Sequence, residues 1–194
     1  MEVRIPVSDK RIETERLVLR PWTEADVDDF YEYASVEGVG EMAGWRHHES
    51  RQVSEEILRS FIDEEEVFAI VCRQNNKVIG SFGLHRSWAN EVPEYRNLKL
   101  KEIGYVLSKE YWGQGLMTEA VSEVIKTSFG EYGLEALTVC HFSANSRSRR
   151  VIEKCGFCFV EEEEKYLERL GIAVTEKKYI LCRDLYDKKA RVWL

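Results

Sequence analysis

The sequence predicts an α+β (mixed α/β) protein whose helices pack on a mixed, mostly antiparallel sheet. Its first half contains short apolar runs separated by polar turns, the pattern of antiparallel strands. Its second half contains a strand, a helix and another strand, the unit that forms a right-handed parallel crossover. No repeat or linker-like segment divides the 194 residues, so we expect residues 1–194 to form one domain.

Composition favours a soluble protein of the cytoplasm. The chain is 44% apolar and 32% charged, as in ordinary globular proteins, and no apolar stretch is long enough to cross a bilayer. Met1–Lys10 lacks the apolar run of a secretory signal. The formal net charge of -7 opposes binding to nucleic-acid phosphates. We therefore expect neither a nucleic-acid nor a membrane partner.

The candidate metal ligands do not form a site pattern. The five cysteines are odd in number and irregularly spaced, which fits a reducing compartment better than a disulfide scaffold. Cys155 and Cys158 form a C-x-x-C without a second pair, and His47 and His48 have no partners at ligand spacing. We expect no metal site, two apolar cysteines around a turn, and two loop histidines.

Local patterns define the elements of the first half. Leu17–Leu19 has the apolar character of a strand, and Thr23 with Asp26 forms a capping-box pattern that starts a helix. Val67–Cys72 and Val78–Leu84 are β-rich and separated by a polar turn, which predicts an antiparallel hairpin. The first helix is expected to bury Val27, Phe30, Tyr31 and Ala34, and the second Val53, Ile57, Leu58, Phe61 and Ile62.

Strands and helices alternate in the second half. Leu98–Leu107 is the next strand, in which Gly104 indicates a bulge or a close approach. An amphipathic helix starts at Leu116, and a shorter helix has Asn145 as its N-cap and Gly156 just past its end. The remaining predicted strands are Glu135–His141, Phe157–Val160 and Lys178–Cys182.

The turn Gly113-Gln114-Gly115 leads directly from a predicted strand into the amphipathic helix. The first turn of a helix has amides without internal partners and a partial positive charge, and glycines let a diphosphate approach the main chain. We therefore expect the amides of residues 113–118 to bind an anion, with the Thr118 hydroxyl as a further donor. For this pattern alone, a purely structural turn is the alternative.

Two other phosphate-binding patterns fit less well. A P-loop requires G-x-x-x-x-G-K-[ST], which the sequence lacks. A dinucleotide site would place Thr118 at the third glycine position and use Glu135 as the ribose-binding acid. Glu135 is expected at the beginning of its strand, however, whereas the ribose acid belongs at the end. A dinucleotide-binding enzyme is therefore the weaker alternative.

Two motifs resemble the GNAT superfamily of N-acetyltransferases, in particular its ribosomal-protein-acetylating (RimJ/RimL-like) branch. The segment EYWGQG matches [QR]-x-x-G-x-[GA], except that Glu110 stands in the Gln/Arg position. Downstream, NSRSRRVIEKCGF (residues 145–157) matches N-x-x-S-x-x-(apolar)-(apolar)-E-K-x-G-F. Residues 15–22 and the strand at Gly80–Gly83 are also similar, so the resemblance spans a core of about residues 12–184.

The resemblance implies the acyl-CoA N-acyltransferase fold, a central sheet splayed between two parallel strands with flanking helices and with acetyl-CoA wedged into the gap. It implies an acyltransferase that moves acetyl from acetyl-CoA to a primary amine by direct attack in a ternary complex. The acceptor would be a protein N-terminus or a small molecule, and the enzyme a monomer or a homodimer. A CoA-binding regulatory protein without turnover is the alternative, for which Glu110 is the one hint.

The chemistry requires a proton acceptor, because a lysine amine with a pKa near ~10.4 is mostly protonated at neutral pH. Glu102, on the strand that enters the turn, is the candidate base, directly or through a water; a surface glutamate is the alternative. An amide of Val106 or Leu107 is expected to stabilise the oxyanion. By resemblance, Ser148 protonates the CoA thiolate and Asn145 holds the cofactor, whereas helix capping is their alternative role.

Charged and aromatic side chains complete the expected site. Arginines suit CoA phosphates because of their forked donors, with a solvated basic face as the alternative. Aromatic residues offer contact to the acceptor, with packing or dimer contacts as the alternative. The basic cluster is Arg147, Arg149 and Arg150, and the aromatic residues are Trp45, Trp88 and Tyr95. The expected catalytic residues are Glu102 and Ser148, and the expected cofactor-binding residues are Tyr105, Val106, Leu107, Gly113, Gln114, Gly115, Leu116, Met117, Thr118, Asn145 and Arg147.

Overall fold

One eight-stranded sheet forms the centre of the protein, in a computed structural model that describes residues 3–192 and side chains as far as Lys188. The strands are β1 Ile12–Glu13, β2 Leu17–Pro21, β3 Val67–Cys72, β4 Lys77–His85, β5 Leu100–Leu107, β6 Ala136–Phe142, β7 Cys158–Leu167 and β8 Ile172–Cys182. The α-helices are α1 Val27–Ala34, α2 Arg51–Glu64, α3 Leu116–Gly130, α4 Ser146–Lys154 and α5 Arg183–Val192. The strand order is β1-β2-β3-β4-β5-β6-β8-β7.

Strands β5 and β6 are parallel neighbours only over their first halves. Leu100 pairs with Ala136, and the pairing ends where Ile103 faces Val139. Both strands continue beyond that point, β5 as far as Leu107. The other neighbouring strands are antiparallel. This arrangement confirms the predicted mixed sheet, which is splayed between two parallel strands.

Several predicted elements of the first half are confirmed. Strands β3 and β4 form the expected antiparallel hairpin. The Thr23 amide donates to Asp26 Oδ2 at 2.8 Å, which completes the capping pattern ahead of α1. The prediction that α1 buries Tyr31 is wrong, because Tyr33 takes that place in the core with 2% of its surface exposed. Tyr31 is only half-buried.

Helices cover both faces of the sheet. On one face α1 and α2 pack together through Phe30 and Leu58. On the other face α3 packs against the strands, and its Phe129 ring lies 5.3 Å from the Tyr186 ring of α5. The sequence patterns did not predict α5. Among the described residues, no helix combines the length and the apolar character that crossing a membrane requires.

Strands β7 and β8 are both longer than the predicted Phe157–Val160 and Lys178–Cys182. Much of the added hairpin is exposed, so no alternation of apolar residues marks it in the sequence. Opposite charges pair across the two strands instead. Lys178 Nζ lies 3.1 Å from a carboxylate oxygen of Glu161 and 2.9 Å from one of Glu163.

Candidate active site

Two cavities meet at the gap between β5 and β6. The first, which we call the turn cleft, encloses about 280 Å³ beside the Gly113–Gly115 turn. The second, which we call the strand cavity, encloses about 390 Å³ over β4 and β5 and extends to Glu176 of β8. The residues that line both are Met42, Ala43, Tyr105, Val106, Asn145 and Ser148. These shared residues define what we call the junction.

The glycine turn has the geometry of an anion site. Gly113 and Gly115 both have a φ of +77°, a left-handed conformation that favours glycine. A Cβ added at Gly113 would meet nothing within 4 Å, so the main chain there is open to a ligand. The first bond of α3 runs from the Glu119 amide to the Gly115 carbonyl. The amides of residues 116–118 therefore precede the intrahelical bonds and are available to an anion.

The first-turn residues differ in what they can offer a ligand. The side chains of Leu116 and Met117 are buried in the core, with 4% and 9% exposed, so these residues offer only their amides. Thr118 lines the turn cleft and adds a hydroxyl. The Gln114 side chain does not line the cleft and instead donates to the Glu110 carbonyl at 3.0 Å. The exposed Glu110 thus contributes to the turn through its main chain.

Arg16, in the β1–β2 connection, is hydrogen-bonded both to the glycine turn and to Glu119 in the first turn of α3. Arg16 Nη1 donates to the Gln114 carbonyl at 2.9 Å, and its Nε donates to Glu119 Oε2 at 2.7 Å. Glu119 Oε1 also accepts the Arg16 amide at 2.9 Å. These bonds fix the turn to the start of α3. No local sequence pattern indicates these bonds between Arg16, Glu119 and the Gln114 carbonyl, which we call the clamp.

The three arginines of the basic cluster separate in the structure. The Arg147 guanidinium stacks over the Trp112 ring at 4.4 Å from its centroid, and Arg147 and Arg150 both line the turn cleft. Arg149 is not among the lining residues and donates to Glu153 at 2.7 Å along α4. Two of the three are therefore placed to meet an anionic ligand.

The junction contains a hydroxyl pair. The Tyr105 hydroxyl and Ser148 Oγ lie 3.0 Å apart. Burial raises the pKa of Tyr105, so the phenol keeps its proton at neutral pH. Asn145 caps α4 by accepting the Ser148 amide at 3.1 Å, as expected of an N-cap, and its Nδ2 donates to the Met42 carbonyl at 3.2 Å. That second bond ties the loop before α2 to α4.

The edge of β5 that faces the gap has no strand partner beyond Ile103, and its Leu107 carbonyl accepts from Trp112 Nε1 at 2.7 Å. The Ser108 amide donates across to the Ile79 carbonyl of β4 at 2.8 Å. Because successive amides of a strand point to opposite edges, the Leu107 amide faces the gap, whereas Val106 faces its β4 partner Ser81. Of the two predicted oxyanion donors, the register therefore favours Leu107.

Glu102 lies in the strand cavity, directly opposite His85 on β4. Burial raises the pKa of Glu102 to about 7, although a hydrogen bond from the Trp88 amide opposes the shift. The Thr138 hydroxyl donates to Glu102 Oε2 at 3.4 Å. Glu102 is therefore a half-buried carboxyl that titrates near neutral pH, as a general base in this range requires.

The strand cavity contains polar residues that no sequence pattern indicated as site residues, namely His85, Cys140, His141 and Glu176. Glu176 lies 3.2 Å from Lys165 Nζ. Among the described residues that line the cavity, none is a lysine or an arginine. The polar alternation of Ser81 and His85 on β4 was a signal that could have identified His85.

The expected aromatic surface is only partly present. Trp45 lines the strand cavity. For Trp88 and Tyr95 the packing alternative holds, because they pack edge-on at 6.4 Å against a separate apolar cluster and line neither cavity. The Trp88 main chain nevertheless reaches Glu102.

His48, which the sequence left without a role, packs in the protein core. His48 lies in a loop, as expected, but its side chain is buried: Nδ1 lies 2.8 Å from Ser54 Oγ, and its ring packs on Phe30. Burial lowers the pKa of His48 to about 4. The described part of the chain contains no group of three metal-ligating side chains.

Residues 16–158 match the family model for the acetyltransferase (GNAT) domain. The chain belongs to this family. It is 28% identical over 151 residues to the uncharacterised N-acetyltransferase YoaA of Bacillus subtilis, which is 75% of this chain and 81% of that protein. As a GNAT protein, the chain is an acyltransferase of a family that uses acetyl-CoA.

Solved structures share the GNAT fold over most of the chain. A GNAT acetyltransferase from Bacillus anthracis aligns with a TM-score of 0.79 at 20% identity, covering 90% of this chain and 99% of that one. A ribosomal-protein alanine acetyltransferase from Vibrio fischeri aligns with a TM-score of 0.69 at 22% identity, covering 91% and 98%. The microcin C7 self-immunity acetyltransferase MccE, solved with acetyl-CoA and AMP, aligns at 0.70 with 16% identity, covering 87% and 93%.

The structure also argues against a dinucleotide-binding site at the glycine turn. The strands that precede the glycine turn form antiparallel pairs. Glu135, the candidate ribose acid, lies immediately before β6 and accepts the Lys99 amide at 2.8 Å. It is therefore at the wrong end of its strand, as the sequence indicates.

We predict that Glu119→Ala weakens acetyl-CoA binding without touching the ligand. The substitution removes the carboxylate that holds Arg16, so the glycine turn loses its support from behind. We expect the Kd measured by calorimetry to rise about tenfold, equivalent to about 1.4 kcal/mol. Glu123→Ala, one helical turn further along α3 and paired with Lys126, is the control. Equal affinities for the two variants would contradict the clamp.

Proposed function

We propose that the protein transfers acetyl from acetyl-CoA to a primary amine that binds in the strand cavity. The meeting of the two cavities at the junction is the observation that supports this proposal. A thioester entering from the turn cleft and an amine entering from the strand cavity reach the same residues, Tyr105 and Ser148 among them. Direct attack in a ternary complex then needs no intermediate on the protein.

The state of the cavity thiol supports direct attack. Cys140 is the one cysteine among the described residues that line either cavity. Burial, and then the nearby carboxylates Glu102 and Glu176, raise the pKa of Cys140. Because the thiolate is the nucleophilic form, a thiol held protonated does not accept the acetyl group.

Acetyl-CoA would lie along the turn cleft. The amides of residues 113–118 and the Thr118 hydroxyl suit its diphosphate, and Arg147 and Arg150 suit its phosphate charges. The free edge of β5 offers main-chain partners to the amide-containing arm of the cofactor. In this proposed position of acetyl-CoA, the thioester carbonyl would lie within reach of the Leu107 amide, the proposed oxyanion donor.

The strand cavity favours an amine without a carboxylate. Its lining includes Glu102 and Glu176, and the described lining residues supply no lysine or arginine to pair with an acid. Trp45 and Phe61 provide apolar contact. A cavity of about 390 Å³ suits either a small amine or the first residues of a protein N-terminus. The resemblance to ribosomal-protein acetyltransferases keeps the N-terminus among the acceptors.

The proposed reaction uses one proton acceptor and one proton donor. Glu102 is the group that finally takes up the proton that the amine loses when its nitrogen attacks the acetyl carbonyl, and the Leu107 amide holds the oxyanion. As the carbon–sulfur bond breaks, Ser148 donates its proton to the thiolate and recovers one from Tyr105, and the Tyr105 phenolate takes a proton from solvent in the turn cleft before the next turnover. The pair suits this role because burial keeps the phenol protonated.

Two measurements test the function as a whole. Acetyl-CoA should raise the melting temperature of the protein, because a ligand that binds only the folded state stabilises it. Incubation with acetyl-CoA and a panel of amines should release free thiol only when an acceptor amine is present. Stabilisation without thiol release would indicate a CoA-binding protein without turnover. Stabilisation by NAD and not by acetyl-CoA would contradict the proposal.

We predict that Glu102→Gln lowers kcat/KM about 100-fold at pH 8, within the range of general acid–base catalysis. In the wild type, kcat/KM should rise as pH increases through about 7, because Glu102 becomes a carboxylate. This inflection should be absent from the variant. Glu91→Gln is the control, since Glu91 is exposed and paired with Arg86 outside both cavities. An unchanged rate and profile would remove Glu102 as the base.

We predict that Ser148→Ala and Tyr105→Phe each lower kcat by about 10-fold or more, with little change in the KM for acetyl-CoA. The loss should shrink above a pH of about 8.5, where a thiolate leaves without needing a proton. Ser146→Ala is the control, because Ser146 is exposed at the same helix start and lines neither cavity. A deficit that is constant with pH would contradict the proton-donor role.

A further inference from the structure

His85 occupies a place that two glycines leave free. Gly83 of β4 and Gly104 of β5 lie opposite each other. A Cβ added at Gly83 would lie 2.0 Å from His85 Nε2, and one added at Gly104 would lie 3.5 Å from the same atom. The imidazole therefore lies over this glycine pair on the floor of the strand cavity. A side chain at Gly83 would displace the ring, whereas a Cβ at Gly104 would be in van der Waals contact with it.

The ring also lies between Glu102 and the junction. Strand residues rise about 3.3 Å each, so Glu102 is roughly 13 Å along β5 from Val106 of the junction. Gly104, under the imidazole, is midway between them. An amine at the junction is thus closer to the His85 ring than to the main chain of Glu102.

A partly buried ion pair lies beside the ring on its Nδ1 side. His85 Nδ1 lies 3.6 Å from Glu66 Oε2, and Glu66 Oε1 lies 3.1 Å from Lys101 Nζ. The Lys101 side chain is 3% exposed, so the pair is well fixed. A distance of 3.6 Å exceeds a hydrogen bond, but the negative charge still favours a proton on Nδ1. Nε2 is then the unprotonated nitrogen, above the glycines.

Burial, and not the charge of its neighbours, keeps the ring neutral near pH 7, because the surrounding carboxylates favour the protonated form. The charged groups around the ring are Glu64 at the end of α2, Glu66 before β3, and Lys101 and Glu102 on β5. Burial lowers the pKa of His85, and Glu66 opposes that shift. A neutral imidazole with Nε2 facing the cavity is able to accept a proton.

We propose that His85 carries the proton of the acceptor amine from the junction to Glu102, with Glu66 and Lys101 as positioning residues. The inference rests on the proposed acetyl transfer. As the amine nitrogen bonds to the acetyl carbon, its N–H bond breaks and the proton moves to Nε2. The imidazolium then gives this proton to the Glu102 carboxylate and returns to its neutral form. Glu102 later loses the proton to solvent.

A double-mutant cycle tests whether the two groups act in series. His85→Gln should lower kcat/KM about 10- to 100-fold. If both residues pass the same proton in series, losing either one already removes that transfer. The variant with both His85→Gln and Glu102→Gln should therefore be no slower than the slower single variant. An unchanged His85→Gln rate, or losses that multiply in the double variant, would overturn the relay.

Chemical rescue separates proton transfer from structure. Imidazole added to His85→Ala should restore activity in proportion to its unprotonated form, and it should not restore Glu102→Gln. Glu66→Gln should keep activity but shift the pH profile to lower values, because the imidazolium loses a stabilising charge. His47→Gln is the matched control: His47 also has a glutamate partner, Glu41 at 2.8 Å, but lines neither cavity. Absence of rescue together with an unshifted Glu66→Gln profile would contradict the assignment.

A readout without turnover distinguishes failure of the relay from failure of the function. Nitrogen chemical shifts of the His85 ring, assigned with His85→Gln, should show a neutral form at pH 8 with its proton on Nδ1. A proton on Nε2 would overturn the relay even if the enzyme is active. If no amine gives thiol release but the ring has the expected tautomer, the acetyl transfer and the relay built on it fail, whereas the geometry of the ring stands.

Discussion

The loss of pairing between β5 and β6 is the constraint on which the rest of the structure depends. The strands start as parallel neighbours and separate after Ile103 and Val139. Beyond that point β5 has one edge bonded to β4 and one edge without a strand partner, although it lies in the middle of the sheet. Main-chain groups inside a folded protein must find hydrogen-bond partners, and Trp112 Nε1 supplies one to the Leu107 carbonyl. The acetyl-CoA proposed above would supply others, and both cavities open onto this edge.

The two sides of the gap are built on different principles. On the side proposed for the cofactor, the main chain supplies the contacts, because glycines at positive φ leave the turn exposed. The buried side chains of Leu116 and Met117 fix the start of α3, and Arg16 donates a hydrogen bond to the Gln114 carbonyl of the turn. On the other side, side chains of neighbouring strands line a mixed apolar and acidic cavity. A phosphate group needs amides in a fixed array, whereas an acceptor is selected by the shape and charge of side chains.

The sequence was sufficient for the parts that local patterns define. The Gly113–Gly115 turn, the Asn145 cap and the β3–β4 hairpin all follow from short-range rules, and they are where the structure has them. What depends on strand register was not accessible. Glu102 faces His85, and Glu176 reaches the same cavity, only because particular strands pair in a particular register. The exposed half of the β7–β8 hairpin was missed for a related reason, since charge pairs leave no apolar periodicity.

Burial raises the pKa of both proposed proton-transfer groups, Glu102 and Tyr105, but the functional consequence differs between them. It disfavours the charged form of each, and so it raises the pKa of Glu102 to about 7 and also raises the pKa of Tyr105. For the carboxyl, the shift brings proton affinity close to neutral pH, which suits a group proposed to accept and then release a proton. For the phenol, the shift secures the proton that Ser148 is proposed to relay. Burial can thus support an acceptor in the strand cavity and a donor at the junction, because the carboxyl and the phenol begin from different ordinary pKa values.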